Sequence, residues 1–386
     1  MATTAEHLSA APGPPAPVPV PAPDADAPDP APDPAPVPAP DALDTTSDPG
    51  PVPFPHRISP DFDAARDRHL RWPESFGFLA SADARAHHLK GQFPLIAAMF
   101  YPNATGRELD LGVDQQSWYF LFDDALDEQW GGSPERVRHL VGLVAEGTGG
   151  EASPLPLAAA FADMRRRSCQ GMPEDWVRRS AAHWSSYLDH HVHEARSRQS
   201  GTPLPLSAYL RVRRHTIGVA PVIDLAERLS SCVLPDRLYA LPHLSVMREM
   251  AKTFVICDND IVSLGKDTAL GEQNNLVLCL ERDHGLTRRE AVGEAVRRRA
   301  EALELFTGAQ RSLLGATAGG RPAPADDRDL LQRYCTEVLQ TTVRGAYDWH
   351  HTSTRYRDEG PPSGSPFPRP TTGSPGTGAP AEEQAP

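Results

Sequence analysis

The stretch Phe120-Leu121-Phe122-Asp123-Asp124-Ala125-Leu126-Asp127-Glu128 closes an apolar run that begins at Trp118. Four acids fall within six residues, directly after four aromatics in five (Trp118, Tyr119, Phe120 and Phe122). Asp123 and Asp127 stand i and i+4, so on a helix their carboxylates share a face. Unscreened, these acids repel one another. A divalent cation offsets that repulsion, and carboxylate oxygens suit a hard ion such as Mg²⁺. The plain alternative is a solvated acidic helix end. The aromatic run before it argues for a buried wall instead.

A second row lies downstream, in Asn259-Asp260-Ile261-Val262-Ser263-Leu264-Gly265-Lys266-Asp267. Asn259, Ser263 and Asp267 are spaced i, i+4, i+8. On a helix they drift only about 40° and rise about 6 Å per step, so they form one stripe. An amide oxygen, a hydroxyl and a carboxylate make a plausible hard-cation site. A polar solvent stripe is the alternative, but the preceding Phe254-Val255-Ile256-Cys257 is strongly apolar.

Between and around these rows the periodicity is helical, and β-branched runs of period two are scarce. Ser133-Pro134-Glu135 reads as a helix start, and Thr287-Arg288-Arg289-Glu290 as a capping box opening a run to about Leu314. Ser245–Lys266 and Asp329–His350 carry apolar residues at mostly helical spacing. Leu206–Leu229 is interrupted by Gly218 and Pro221, so a break is expected near Gly218. That break is either a packing bend or an exposure of backbone carbonyls beside a cavity. The expectation is an all-α, single-domain helical bundle of about ten helices around a deep cavity.

The chain has 386 residues, of which 41 are proline. Most prolines fall in two stretches without large apolar side chains, and these read as disordered tails over 1–53 and 359–386. The folded domain is then 54–358, long enough to enclose a deep core. Of the formal net charge of −13, eight charges lie in 1–56, which has no Lys or Arg, so the body is only mildly acidic. No nucleic-acid footprint or polybasic membrane patch follows from that pattern. No signal peptide or spanning apolar stretch is evident, so a cytoplasmic location is expected. The five cysteines (Cys169, Cys232, Cys257, Cys279 and Cys335) have irregular spacing and read as buried reduced thiols.

Together the motifs resemble a known family. DDALD, Asp123 to Asp127, is similar to the aspartate-rich DDxxD motif of bacterial class I terpene synthases. NDIVSLGKD, Asn259 to Asp267, is similar to their NDxxSxxxE motif, with Asp267 in place of the usual Glu. Arg213-Arg214-His215-Thr216-Ile217-Gly218 resembles the diphosphate-sensor segment, with Gly218 at the effector break. Arg355-Tyr356, after Trp349, resembles the C-terminal Arg-Tyr pair. PFPHRISPDFDAARDRHLRW resembles the segment that caps such sites. A long Pro-rich N-terminal tail also occurs in methylisoborneol-type cyclases, but the DDALD motif and the overall pattern look closer to pentalenene-type sesquiterpene cyclases.

The resemblance implies a lyase of isoprenoid biosynthesis with three Mg²⁺ ions clamping the diphosphate of a linear isoprenoid. Asp123 would bridge two ions, with Asp124 and Asp127 as further candidates, and Asn259, Ser263 and Asp267 would hold the third. Arg214 is taken as diphosphate sensor, with Arg213 as the alternative. Lys266, Arg355 and Tyr356 would bind diphosphate oxygens. Phe93, Phe100, Phe120 and Trp349 are the candidate cation-facing aromatics, each weighed against ordinary core packing. Farnesyl diphosphate is the expected substrate and a monomer or homodimer the expected assembly. Geranyl or 2-methylgeranyl diphosphate is the alternative substrate. A chain-elongating synthase with two DDxxD motifs and a scaffold acting through its Pro-rich tail are the rival readings.

Overall fold

The computed structural model describes residues 52–146, 155–315 and 325–353. The proline-rich tails therefore lie outside the described residues, apart from Val52 and Pro53, and so do Arg355 and Tyr356. Among the described residues there are seventeen α-helical segments, two π-helical turns and no strand. The expectation of about ten helices undercounts because several runs are broken. Ser245–Lys266 divides into Pro242–Val262 and Leu264–Ala269, and Asp329–His350 into Ala325–Arg333, a π turn Tyr334–Gln340, and Thr341–Thr352. The Thr287 capping box forms as read. Glu290 accepts from the Thr287 backbone N–H at 2.9 Å, and Thr287 Oγ1 accepts from Glu290 N at 3.4 Å.

Pro242–Val262 is the central helix, packed along Arg288–Gly315 on one side and Thr341–Thr352 on another. Its apolar face buries Met247, Ala251, Phe254, Val255 and Ile256. Phe93–Phe100 lies between Gly106–Ala125 and Thr341–Thr352. Gly345 makes this approach possible: a Cβ there would stand 2.9 Å from the Met99 carbonyl oxygen. That closeness brings Phe100 and Trp349 into one wall. Trp118, Phe122, Phe161 and Trp184 interlock behind Gly106–Ala125, with ring centroids 4.7–5.6 Å apart. Each such buried ring contributes roughly 1.5–3 kcal/mol of transfer free energy. This cluster fixes the helix that carries Asp123.

All five cysteines are free thiols, four of them buried. No helix among the described residues is long and apolar enough to cross a membrane.

Candidate active site

The helices enclose one open cavity of about 820 Å³. Asp123 and Asp127 line it from one side, and Asn259, Ser263, Lys266 and Asp267 line it from another. The two rows thus share one hollow. Its deeper wall includes Ile96, Phe100, Phe120, Val222, Val255 and Trp349.

Asp123 sits in the last turn of Gly106–Ala125, and Asp127 in the π turn Leu126–Trp130 that follows. The sequence reading placed both on one α-helix. The wider π turn still directs both to the cavity, and such turns recur at functional sites. Desolvation first, then the facing Asp123 carboxylate, pushes Asp127 above the usual carboxylate range. A bound cation would relieve this cost, so these carboxylates fit a divalent ion. Asp124 departs from its expected place. Its carboxylate accepts from His87 Nε2 at 2.9 Å, beside a small separate pocket, and it does not line the main cavity. On the helix it is turned about 100° from Asp123.

The second row runs across a helix junction. Ser263 ends Pro242–Val262, yet the i→i+4 backbone ladder continues: Ser263 N donates to Asn259 O and Asp267 N to Ser263 O, both at 2.8 Å. The three side chains therefore stay in register. Ser263 Oγ donates to Asp267 Oδ2 at 2.7 Å, and Asn275 Nδ2 donates to the same oxygen at 2.9 Å. Asn259 is oriented from two sides. Arg213 Nη2 donates to its Oδ1 at 2.7 Å, and its Nδ2 donates to His350 Nε2 at 3.4 Å. His350 Nδ1 in turn donates to the buried Asp258 at 2.6 Å. Burial opposes charge on Asp258, but His350, His351 and Arg299 outweigh it and hold its carboxyl below the ordinary range.

Arg213, half-buried, lines the cavity, whereas Arg214 is exposed and does not. The choice of Arg214 as sensor is corrected accordingly. Adjacent helical residues point about 100° apart, and only Arg213 faces inward. Phe93 is also displaced from its expected role. It packs behind Phe120, ring centroids 4.9 Å apart, against the small pocket with His88. Phe100, Phe120 and Trp349 line the main cavity as expected.

The predicted break is present. Leu206–Thr216 ends, Gly218 adopts φ +75°, and Val219–Leu229 begins. Gly218 lines the cavity, and a side chain there would press on the Tyr119 ring at 3.2 Å.

Several cavity residues were missed by the sequence reading. Tyr119, Tyr187, Glu194, Arg198 and His350 all line it. Glu194 and Arg198 are spaced i, i+4 on Glu174–Ser200, a pattern that reads as surface helix until the fold turns it inward. Desolvation opposes the charge on Glu194. His191, Arg198 and Arg213 outweigh it and bring its carboxyl down to about 2.

Comparison with known proteins agrees with this geometry. The profile of terpene synthase family 2, C-terminal metal binding, matches residues 115–304. A pentalenene synthase of Streptomyces exfoliatus is 42% identical over 310 residues, covering 78% of this chain and 90% of that protein. A (−)-β-caryophyllene synthase of Saccharothrix espanaensis, named as cyclising (2E,6E)-farnesyl diphosphate, is 36% identical over 310 residues, or 78% and 86% of the two chains. The crystal structure of the linalool/nerolidol synthase from Streptomyces clavuligerus, in complex with 2-fluorogeranyl diphosphate, superposes with a TM-score of 0.68. It is 33% identical, covering 79% of this chain and 99% of that one. An all-helical bundle around a cavity rimmed by two rows of oxygen donors defines a class I terpenoid synthase fold. The chain belongs to the terpene synthase family and is a bacterial-type class I terpene synthase, similar in sequence to sesquiterpene synthases and to a linalool synthase.

Proposed function

We propose that the enzyme ionises farnesyl diphosphate with three Mg²⁺ ions and closes the cation into a sesquiterpene hydrocarbon or alcohol, releasing diphosphate. One observation carries this reading. Two rows of hard oxygen donors, on different helices, line a single cavity that also has an aromatic and aliphatic wall in Ile96, Phe100, Phe120, Val222, Val255 and Trp349. A volume of about 820 Å³ accommodates a fifteen-carbon chain in folded form.

Asp123 would hold two ions, with Asp127 beside it, and Asn259, Ser263 and Asp267 the third. Asp267 is one methylene shorter than Glu, yet Ser263 and Asn275 hold its carboxylate in the row. Among the described residues no three His, Cys, Asp or Glu side chains form a ready cage for an ion. Mg²⁺ commonly completes its octahedron with substrate phosphate oxygens and water, so the diphosphate itself is needed to fill the shells. Bound Mg²⁺ supplies the positive charge that stabilises the departing diphosphate.

The protein supplies the rest. Arg213, Lys266 and Arg198 line the same cavity as the oxygen rows, with Arg355 and Tyr356 assigned there by family resemblance. Phe100, Phe120 and Trp349 offer ring faces to the cation, worth roughly 0.5–2 kcal/mol each. The apolar wall keeps water from the cation on that side. The same reading takes 54–358 as the catalytic domain, acting in the cytoplasm as a monomer or homodimer.

A second reading, a ten-carbon substrate such as geranyl or 2-methylgeranyl diphosphate, is favoured by the likeness to a structure holding 2-fluorogeranyl diphosphate. Incubation with each diphosphate and Mg²⁺, read by gas chromatography–mass spectrometry, tests both. A cyclic C15 product from farnesyl diphosphate supports the first. Preferred turnover of a C10 or C11 diphosphate moves the assignment to the second. A longer prenyl diphosphate marks an elongating synthase, and no turnover defeats the enzyme reading.

A further inference from the structure

Gln116 lines the cavity from Gly106–Ala125, one turn before Phe120 and two before Asp123. Seven residues of helix bring it back to the face of Asp123, about 10 Å along the axis from that carboxylate. The residue is only 3% exposed, so what its amide meets is decided inside the protein.

A chain of hydrogen bonds settles which end of that amide faces the cavity. Gln115 Nε2 donates to the Pro221 carbonyl oxygen at 3.2 Å. A carbonyl only accepts, so Gln115 turns its Oε1 to Tyr101. The Tyr101 hydroxyl donates to that oxygen at 2.9 Å, which spends its one proton. The phenol oxygen is left as an acceptor. Gly112, one turn before Gln116, lets the Tyr101 ring lie against the helix: a Cβ there would stand 2.5 Å from Tyr101 Cδ2. Burial makes the phenol harder to ionise, and the Gln116 side chain, a donor close by, works against that. Gln116 Nε2 is buried, close to the phenol but outside hydrogen-bond geometry. The nitrogen end therefore lies toward Tyr101 and Oε1 toward the cavity. Among the described residues no donor reaches Oε1. An enclosed acceptor of this kind is met by ordered water where there is room for it, and a cavity of about 820 Å³ has room.

We infer that Gln116 is a specificity-determining residue: its Oε1 holds one water with a lone pair aimed at the substrate cation, and the product is an alcohol. An oxygen that only accepts makes the water donate to it. The water's lone pairs then face away from the amide, into the cavity. An amide turned the other way would take a lone pair and present the water's hydrogens to the cation. The apolar wall keeps bulk water off, so capture waits until the cation reaches this one molecule. The water oxygen forms the new C–O bond, and the oxonium gives one proton to the diphosphate released when the substrate C–O bond broke. Farnesyl diphosphate and water thus become an alcohol and protonated diphosphate. This inference rests on the cyclase reading of the cavity.

The test incubates the full chain with farnesyl diphosphate and Mg²⁺ in water labelled with heavy oxygen and reads the products by gas chromatography–mass spectrometry. Wild type should give an alcohol carrying one labelled oxygen as its main product. Hydrolysis at phosphorus would leave the alcohol unlabelled. Gln116→Leu should lower the ratio of labelled alcohol to hydrocarbon about tenfold, the upper range for one lost hydrogen bond. Tyr101 does not line the cavity, yet Tyr101→Phe should lower the ratio at least about threefold by freeing the amide to turn. Both ratios are taken per substrate consumed, so a slower variant still reports. If Gln116→Leu does not fold, as judged by circular dichroism, Tyr101→Phe decides. A hydrocarbon as the main wild-type product, or a ratio unchanged in either folded variant, overturns the inference and leaves the cyclase reading standing. Failure of the wild-type enzyme to consume geranyl, farnesyl or geranylgeranyl diphosphate overturns both.

Discussion

Arg213 donates to the side-chain oxygen of Asn259 across 2.7 Å, joining the helix before the break to the helix that carries the second oxygen row. The guanidinium also reaches Asp260, at 3.5 Å, and that carboxylate is fully buried. A cation that must recognise diphosphate is therefore held in register with an amide that must hold a metal.

This contact separates two adjacent arginines. Arg213→Gln should lower kcat/KM for diphosphate release by about 100-fold or more, the usual cost of losing a charge-stabilising donor. Arg214→Gln, on the exposed face, should stay within about threefold of wild type. Equal losses in the two variants would refute the assignment.

The aspartates also separate. Asp123→Asn should nearly abolish turnover with the far-ultraviolet circular dichroism unchanged. Asp124→Asn should retain far more activity, because its carboxylate is engaged by His87 and not by the cavity. Steady-state kinetics across a Mg²⁺ titration checks both.

Asp267 tests the third-ion site. Asp267→Ala should raise the Mg²⁺ concentration for half-maximal rate at least about tenfold, since a charged oxygen donor is lost. Asp267→Glu should match or exceed wild type. An Asp267→Ala enzyme with wild-type Mg²⁺ dependence would remove this residue from the metal site.

Metal and diphosphate should stabilise the protein only together. With no ready cage among the described residues, Mg²⁺ alone should leave Tm within about 1 °C. Mg²⁺ with inorganic diphosphate at about 100 times the dissociation constant should add about 2.7 kcal/mol, a shift of several degrees. Chelation by EDTA should end turnover and leave the helical signal intact.

Acid sensitivity has a named contributor. Burial, reinforced by His69, lowers the His88 imidazole to about 3. The folded state refuses a proton that the unfolded chain accepts near 6.5. Stability from this site is thus complete above about pH 6.5 and falls as pH drops toward 3, by up to about 1.4 kcal/mol per pH unit. Urea unfolding of wild type and His88→Leu between pH 4.5 and 7 should show a shallower pH slope in the variant.

Much of this protein was legible in its residues. The spacing of Asn259, Ser263 and Asp267 survives as a row in space because the backbone ladder continues through the Ser263 junction. Gly218 and Pro221 announce the break, since one favours a left-handed φ and the other removes an N–H. Local hydrogen bonding and helical periodicity fix both features, so the order of residues is enough to find them. Which of Arg213 and Arg214 turns inward was not decided locally. Nor were the bond of Asp124 to His87, the placing of Phe93 behind Phe120, and the recruitment of Glu194 and Arg198 from a helix that looks solvent-facing. Those depend on the rotation of each helix about its axis. That rotation is set by packing partners hundreds of residues away, such as Gly345 against Met99, and only the folded arrangement contains it.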